Sequence, residues 1–257
     1  PLMKPIVLCL SGLDPCGGAG IQADIEAINA MGAHAASIIT CLTLQDTQNV
    51  YELNPVNPQL IRKQARTIFS DMPVQAIKIG LIGSAEVAHA IADILQQHPE
   101  IPVILDPILT AGGGNPLASE ALIDIFKSAI IPCCRLITPN IPEARRLTHN
   151  ASDLLHALPR LGAEASLITG SHDDTHDVKH VLIMSHQIHE WSYPRLPHEY
   201  HGSGCTLAAS IAALMAKNLD TQSAVKQALD YTYRTLKNAQ PLGQGQWIPL
   251  RLETKPS

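Results

Sequence analysis

Residues 6–24 read IVLCLSGLDPCGGAGIQAD and contain a complete strand, turn and helix start. The apolar run 6–10 is too short for a helix and ends at a serine and a glycine, which is typical of a buried strand. A glycine-dense turn at 14–20 follows, and 21–30 then has the apolar spacing of a helix. This stretch therefore predicts the first βα unit of an α/β protein.

The same alternation continues along the chain. Further short apolar runs at 36–40, 76–79, 103–105, 136–137 and 166–169 predict strands, and patterns at 59–70, 84–95 (capped by Ser84), 119–129, 206–217 and 222–238 predict helices. Two extended patterns, 178–184 and 188–193, have no helix between them and predict a hairpin at the sheet edge. We expect one domain, 1–257, with a doubly wound, mostly parallel central sheet and helices on both faces.

Composition narrows the classes of function. The 257 residues are 46% hydrophobic and 16% charged, with a net charge of −5 and no basic face, which argues against nucleic acid as a partner. The chain contains no run of 18 apolar residues, so the sequence predicts no membrane span. The six cysteines show no C-x-x-C spacing, which predicts free thiols in a reducing cytoplasm. We expect a cytoplasmic protein whose partner is a small molecule.

The first glycine turn has more than one interpretation. Gly18, Gly20 and Ala23 formally satisfy a dinucleotide fingerprint, but the turn is long and no acidic residue closes a second strand about 20 residues on. A turn that only connects strand and helix also needs glycine. The third interpretation is a binding site in which the backbone amides of the turn contact a ligand. No Walker A sequence occurs in the chain.

The second motif is HGSGCT at 201–206, directly before an alanine-rich helical stretch. Glycine amides at a helix N-terminus offer free donors and the positive end of the helix dipole, which suits a phosphate or an oxyanion. Cys205 lies inside that field, which predicts a thiol pKa below its usual value near 8.5. The alternative is a flexible cap with a buried, inert thiol.

Oxygen ligands follow two further strands. Asp106 follows the run 103–105, and Asn140 and Glu143 follow the run 136–137. Because parallel strands end at one edge of the sheet, these oxygens suit Mg²⁺, which usually takes one or two carboxylates together with phosphate oxygens. Alternatively, Asn140 simply caps a helix.

These segments together resemble the ribokinase-like superfamily and, within it, the hydroxymethylpyrimidine/phosphomethylpyrimidine kinases of thiamine biosynthesis. The resemblance spans nearly the whole chain and rests on DPCGGAGIQAD at 14–24, Gln45, KIG at 78–80, Asp106-Pro107, 138–144, and HGSGCTL at 201–207. It implies transfer of the γ-phosphoryl of MgATP to 4-amino-5-hydroxymethyl-2-methylpyrimidine and then to its monophosphate. A homodimer is also expected from the superfamily.

The resemblance also implies roles for individual residues. Cys205 acts as base or orients the nucleophile, and the amides of Gly202, Ser203 and Gly204 stabilise the transferred phosphoryl. The other implied roles are pyrimidine binding by Gly12, Asp24, Gln45, Gly80 and Leu81, ATP binding by Asn140, Gly170 and Thr206, and magnesium binding by Asp106 and Glu143.

Some positions depart from the family pattern. Gly112 and Thr169 stand where the family usually has lysines, and Asp46 replaces an asparagine after Gln45. A pyridoxal-type vitamin kinase and a non-catalytic pyrimidine-binding family member therefore stay open as alternatives. Seven of the twelve histidines fall between 172 and 201, and their spacing at His172, His176 and His180 allows either a zinc site or solvated histidines at the sheet edge.

Overall fold

The computed structural model describes residues 3–112, 114–170, 176–185 and 187–252. These residues form one nine-stranded sheet with the order β3-β2-β1-β4-β5-β6-β7-β8-β9. The strands are β1 (Ile6–Leu13), β2 (His34–Gln45), β3 (Val50–Pro55), β4 (Val74–Ile79), β5 (Val103–Leu105), β6 (Leu136–Ile137), β7 (Ala165–Thr169), β8 (Asp177–Met184) and β9 (Gln187–Pro194).

Helices connect most of these strands. They are α1 (Gly20–Ala30), α2 (Pro58–Asp71), α3 (Ala85–Gln97), α4 (Glu120–Ile125), α5 (Ile141–Leu147), α6 (Leu154–Ala157), α7 (Ser203–Ala216) and α8 (Thr221–Lys237). Ser84 caps α3 as predicted, since its side chain accepts a hydrogen bond from the backbone of Val87. The helix predicted at 119–129 is α4 followed by a π-helical turn, Phe126–Ile130.

The predicted sheet architecture is confirmed. Strands β1, β2, β4, β5, β6 and β7 pair in parallel, and the β8–β9 hairpin is antiparallel at one edge. The second edge strand, β3, pairs antiparallel with β2 and was not predicted. It has little apolar patterning because most of its residues are exposed. Its turn depends on Asp46, whose carboxylate accepts hydrogen bonds from the amides of Gln48 and Asn49.

Each face of the sheet buries its own apolar cluster. Leu8 and Leu10 of β1 pack on the side of α2, α3 and α4, whereas Val7 and Cys9 pack on the side of α1, α7 and α8. This is the alternation that a strand covered on both faces requires. Helix α7 is buried all round from Cys205 to Ala216, and its small side chains let it lie close to the sheet and to α1.

The parallel strands bring several segments to one edge of the sheet. Gly12 lies near the carboxyl end of β1. The residues that directly follow β4, β5, β6 and β7 are Gly80, Asp106, Thr138 and Gly170, respectively. Ligands bind at this edge in open α/β sheets. Among the described residues, no helix is both long enough and apolar enough to span a bilayer.

Candidate active site

A buried ion pair lies where β1 and β4 end against α1. Lys78 Nζ is 2.7 Å from Asp24 Oδ1, and neither side chain is exposed. Ser11 donates a hydrogen bond of 2.6 Å to the second carboxylate oxygen of Asp24 and accepts one of 3.1 Å from Lys78. Burial opposes the charge of Lys78, but Asp24, Cys205 and Asp106 together raise its pKa above the ordinary value.

Gly80 leaves room for this ion pair. A Cβ at position 80 would lie 2.7 Å from both Lys78 Nζ and Ser11 Oγ. Two of the five residues predicted to bind the pyrimidine, Asp24 and Gly80, therefore lie together around Lys78. Their role in substrate binding stays a prediction, because the carboxylate of Asp24 already has two partners within the protein.

The second glycine motif forms the N-terminus of α7. Gly202 has a φ of 77°, and a Cβ there would overlap the carbonyl oxygen of Gly18, so the two glycine turns pack backbone against backbone. The side chain of Thr206 donates back to the Gly202 carbonyl at 2.7 Å. Gly202, Ser203, Gly204 and Cys205 thus lie at a helix N-terminus, the setting that favours an anion.

The expected lowering of the Cys205 pKa is wrong. Burial, which disfavours the thiolate, raises its pKa to about 12, and Asp106 and Asp24 raise it further, while Lys78 and a backbone amide act in the opposite direction. Loss of solvent has the largest effect on this pKa, and the position at a helix N-terminus does not offset it. Cys205 is therefore a protonated thiol at neutral pH, and it is hydrogen-bonded to Asp106.

Asp106 and Glu143 form a pair of buried acids. Burial raises the pKa of Asp106 to about 6, against an opposing effect of Lys78. Burial raises the pKa of Glu143 to about 8, and the charge of Asp106 adds to this increase. The two buried carboxyl groups disfavour each other's ionisation. Mg²⁺ binds carboxylate oxygens, and a divalent cation would compensate both negative charges. These residues fit the predicted magnesium site.

The residues predicted to bind ATP have structural contacts of their own. Asn140 caps α5 in a capping box with Glu143: its side chain accepts from the Glu143 amide at 2.9 Å, and Glu143 accepts from the Asn140 amide at 3.0 Å. The helix-capping interpretation is thus confirmed, and ATP binding stays a prediction. Thr169, which precedes Gly170, forms an isolated parallel β-bridge with Asn140. The ends of β6 and β7 therefore lie side by side.

Gln45 lies apart from this cluster. It ends β2, and its side-chain amide donates a 2.6 Å hydrogen bond to Thr43. Gly12 directly follows Ser11 and Leu81 directly follows Gly80, and a Cβ at Gly12 would lie 2.9 Å from the Leu81 side chain. The described contacts therefore group Gly12, Gly80 and Leu81 but leave Gln45 as a neighbour along the same sheet edge.

The histidine spacing at 172, 176 and 180 does not describe a helix. His180 lies on β8, and His176 precedes that strand and pairs with Asp177, while His172 lies outside the described residues. Burial lowers the pKa of His180 to about 4. Residues four positions apart are neighbours on a helix but not on a strand. The spacing of these histidines therefore no longer supports a zinc site.

Sequence reasoning missed three polar residues of the site. Lys78 and Asp14 lie within motifs that assign them no role, and no sequence pattern marks Arg251. Arg251 is fully buried, and its guanidinium donates to the carbonyl of Gly18 and, at 2.8 Å, to Thr206 Oγ1. A lysine or arginine whose contacts are remote in sequence produces no local sequence pattern. Its role becomes visible only when the folded structure shows that its charge is buried.

Comparison with known proteins decides the family. The phosphomethylpyrimidine kinase family model matches residues 14–249. The chain belongs to this family. Membership confirms the resemblance inferred from the sequence, the phosphotransferase class and the thiamine-pathway pyrimidine kinase group.

Two curated relatives illustrate the match. Hydroxymethylpyrimidine/phosphomethylpyrimidine kinase of Salmonella typhimurium is 34% identical over 250 residues, which cover 94% of each chain. Thiamine biosynthesis bifunctional protein ThiED of Geobacter sulfurreducens is 37% identical over 95% of this chain. This chain spans about half of that longer protein, with 52% of it covered.

Solved structures show the same fold. The phosphomethylpyrimidine kinase of Clostridium difficile superposes with a TM-score of 0.79 at 29% identity, covering 90% of this chain and 98% of that one. Pyridoxal kinase from Staphylococcus aureus, solved with pyridoxal, gives a TM-score of 0.88 at 21% identity and covers 98% of this chain and 94% of that one. At that identity the second likeness shows the fold alone.

Removing one partner of the Asp24–Lys78 pair should destabilise this kinase. Lys78→Met leaves a buried, uncompensated carboxylate, and we expect the free energy of unfolding to fall by about 3–5 kcal/mol in urea titrations. Adding Asp24→Asn should recover much of this loss. The matched control is Lys226→Met, which breaks an exposed pair with Asp230 and should cost below about 1 kcal/mol. Equal losses for both lysine variants would contradict the prediction.

Glu143 should make the stability of the metal-free protein depend on pH. Its pKa is about 8 in the folded chain against an ordinary 4.5, so the folded state binds more protons between these values. Stability should therefore fall as pH rises from about 4.5 to about 8, and Mg²⁺ should restore it at the upper end. Thermal unfolding in EDTA should show a weaker pH dependence for Glu143→Gln, whereas exposed Glu86→Gln should leave it unchanged. A pH profile shared by all three proteins would refute this assignment.

Proposed function

We propose that this chain transfers the γ-phosphoryl of ATP to the hydroxymethyl group of 4-amino-5-hydroxymethyl-2-methylpyrimidine and then to the resulting monophosphate. The observation that carries the proposal is the family match over residues 14–249. We also propose that residues 1–257 act as one kinase domain in a cytoplasmic homodimer, which light scattering of the purified protein and cell fractionation test.

The N-terminus of α7 is the proposed site of charge stabilisation. The amides of Gly202 to Cys205 begin a long, buried helix, so their donors and the helix dipole point at the same place. Phosphoryl transfer depends mainly on positioning and on compensation of negative charge. A rigid turn suits this task, and Gly202 is held against the Gly18 carbonyl by close packing.

Asp106 and Glu143 are the proposed magnesium ligands. When bound, the ion would compensate the negative charge of the phosphate groups. The protein contributes two buried carboxyl groups whose burial already raises both pKa values. Asn140 holds the Glu143 carboxylate through its backbone amide, and the amide of Leu109 holds the other oxygen at 3.4 Å.

Cys205 is proposed to orient the substrate hydroxyl rather than to act as a free thiolate. Its pKa of about 12 leaves too little thiolate at neutral pH for a base formed in advance. Asp106 accepts a hydrogen bond from Cys205 and so fixes the orientation of the thiol. The proton of the attacking hydroxyl passes to the transferred phosphoryl group as the new P–O bond forms. Lys78 supports this arrangement because its positive charge lowers the pKa of both Cys205 and Asp106.

Pyrimidine binding is proposed at the ends of β1, β2 and β4. Gln45 carries an amide, which offers both a donor and an acceptor to a heterocycle. Gly12 leaves room for the Leu81 side chain and Gly80 leaves room for Lys78, which pairs with Asp24. Gly112, where the family usually has a lysine near the nucleotide, lies against Gln246, because a Cβ at position 112 would be 2.8 Å from its side chain.

A substrate panel tests the proposed reaction. Purified protein with MgATP is incubated separately with the hydroxymethylpyrimidine, its monophosphate and pyridoxal, and the products are identified by mass. We expect phosphorylation of the first two at a higher kcat/KM than for pyridoxal. A preference for pyridoxal would support the vitamin-kinase alternative. Binding of the pyrimidine without any phosphorylated product would support the non-catalytic alternative.

Replacing Cys205 should separate turnover from binding. Cys205→Ala removes the side chain that faces Asp106, and we expect kcat to fall by a factor of about 10² through misplacement of the hydroxyl, while substrate affinity changes little. Cys133→Ala, at an exposed cysteine, serves as the matched control and should keep the original kcat. An unchanged kcat in Cys205→Ala would remove this residue from the mechanism.

A further inference from the structure

A second group of metal-binding side chains lies at the first glycine turn. The ligand atoms of Asp14, Cys16 and His201 all lie within 4.8 Å of one another. His201 Nε2 is 2.8 Å from one carboxylate oxygen of Asp14, and Cys16 Sγ is 2.9 Å from the other. Neither the resemblance nor the proposed mechanism uses these three side chains together.

We propose that Asp14, Cys16 and His201 form a Zn²⁺ site that joins the two glycine turns of the kinase. A thiolate, an imidazole nitrogen and a carboxylate oxygen are the three ligand types that zinc takes in proteins. Three protein ligands leave a fourth position for water. This donor set differs from the all-oxygen pair Asp106 and Glu143, which suits the harder Mg²⁺.

The ligands are held in place before any ion binds. Asp14 is buried, and its carboxylate accepts hydrogen bonds from the amides of Cys16 and Ala19 at 2.9 and 2.8 Å, which stay intact when the thiol and imidazole turn to a metal. The backbone amide of His201 donates to the Trp247 carbonyl at 2.9 Å. Cys16 and His201 are half-buried, whereas Asp14 is buried.

Charge and protons balance when zinc binds. The thiol of Cys16 loses its proton to solvent, Asp14 keeps its negative charge, and His201 binds as a neutral imidazole. A divalent cation with one thiolate and one carboxylate is then neutral overall. Binding must displace the thiol proton and should therefore strengthen with rising pH.

The site would connect parts of the chain that the proposed mechanism requires. Asp14 belongs to the turn that begins α1, and His201 immediately precedes Gly202 at the start of α7. A bound ion would replace the Asp14–His201 hydrogen bond and thereby shift His201, which adjoins the Gly202 turn that the proposed mechanism requires. We expect Zn²⁺ to inhibit turnover, a consequence that rests on the proposed function, whereas the binding itself does not.

Binding is tested on the metal-free full chain without substrate. Co²⁺ is titrated as a spectroscopic probe, and a sulfur-to-cobalt charge-transfer absorption is expected at one equivalent and is expected to disappear when Zn²⁺ displaces Co²⁺. Cys16→Ser should remove the absorption and weaken Zn²⁺ binding by more than the roughly 10- to 100-fold that outer-shell changes cause. The serine hydroxyl can still donate to Asp14, so this variant should keep the fold, which thermal unfolding verifies.

Two controls make the result specific. Cys133→Ser alters an exposed cysteine and should retain the absorption, as should Cys205→Ser, which alters the cysteine beside Asp106. His201→Gln should weaken Zn²⁺ binding without removing the sulfur ligand. The proposal is overturned if no absorption forms, if Cys16→Ser retains it, or if Cys205→Ser removes it instead.

Inhibition is measured separately with whichever acceptor the protein phosphorylates. Micromolar Zn²⁺ with excess MgATP should reduce kcat in the original protein, and Cys16→Ser should be at least tenfold less sensitive. If no acceptor is phosphorylated, the proposed function fails while the cobalt titration still decides the metal site. Equal sensitivity of both proteins to Zn²⁺ would overturn the inhibitory role.

Discussion

Two opposite charges, those of Asp24 and Lys78, lie 2.7 Å apart with no exposure to solvent, where β1 and β4 meet α1. Removing either charge leaves the other buried alone, which is costly in a low dielectric, so the two side chains constrain each other. Ser11 completes the pair, and Gly80 leaves space for it. The positive charge of Lys78 also acts on Cys205 and Asp106, whose pKa values it lowers against the larger, opposite effect of burial.

The second constraint is the close contact of the two glycine turns. Gly202 meets the Gly18 carbonyl, Arg251 donates to that same carbonyl and to Thr206, and His201 pairs with Asp14. A segment near the end of the described chain thereby fixes two turns that are far apart in sequence. A charge-assisted hydrogen bond from a buried guanidinium is stronger than a neutral one, and it holds the N-terminus of α7 in position.

Cys205 shows how the fold can reverse a local expectation. A thiol at a helix N-terminus usually becomes more acidic, because the dipole stabilises the thiolate. Here the sulfur is buried and Asp106 and Asp24 lie near it, so its pKa rises instead. The site therefore supplies a protonated thiol beside a carboxyl group with a raised pKa, an arrangement suited to orienting a hydroxyl.

The sequence by itself determined the βα alternation, the edge hairpin and the family, because short apolar runs, helix spacing and the two glycine motifs are local patterns. It missed β3, whose exposed residues leave no apolar pattern, and it gave Lys78 and Arg251 no role. Only the tertiary structure decided the ionisation of Cys205, the pairing of Asp24 with Lys78, and the meeting of Asp14, Cys16 and His201. These depend on burial and on distances between residues remote in sequence, and electrostatic energies are set by such distances and by the loss of water.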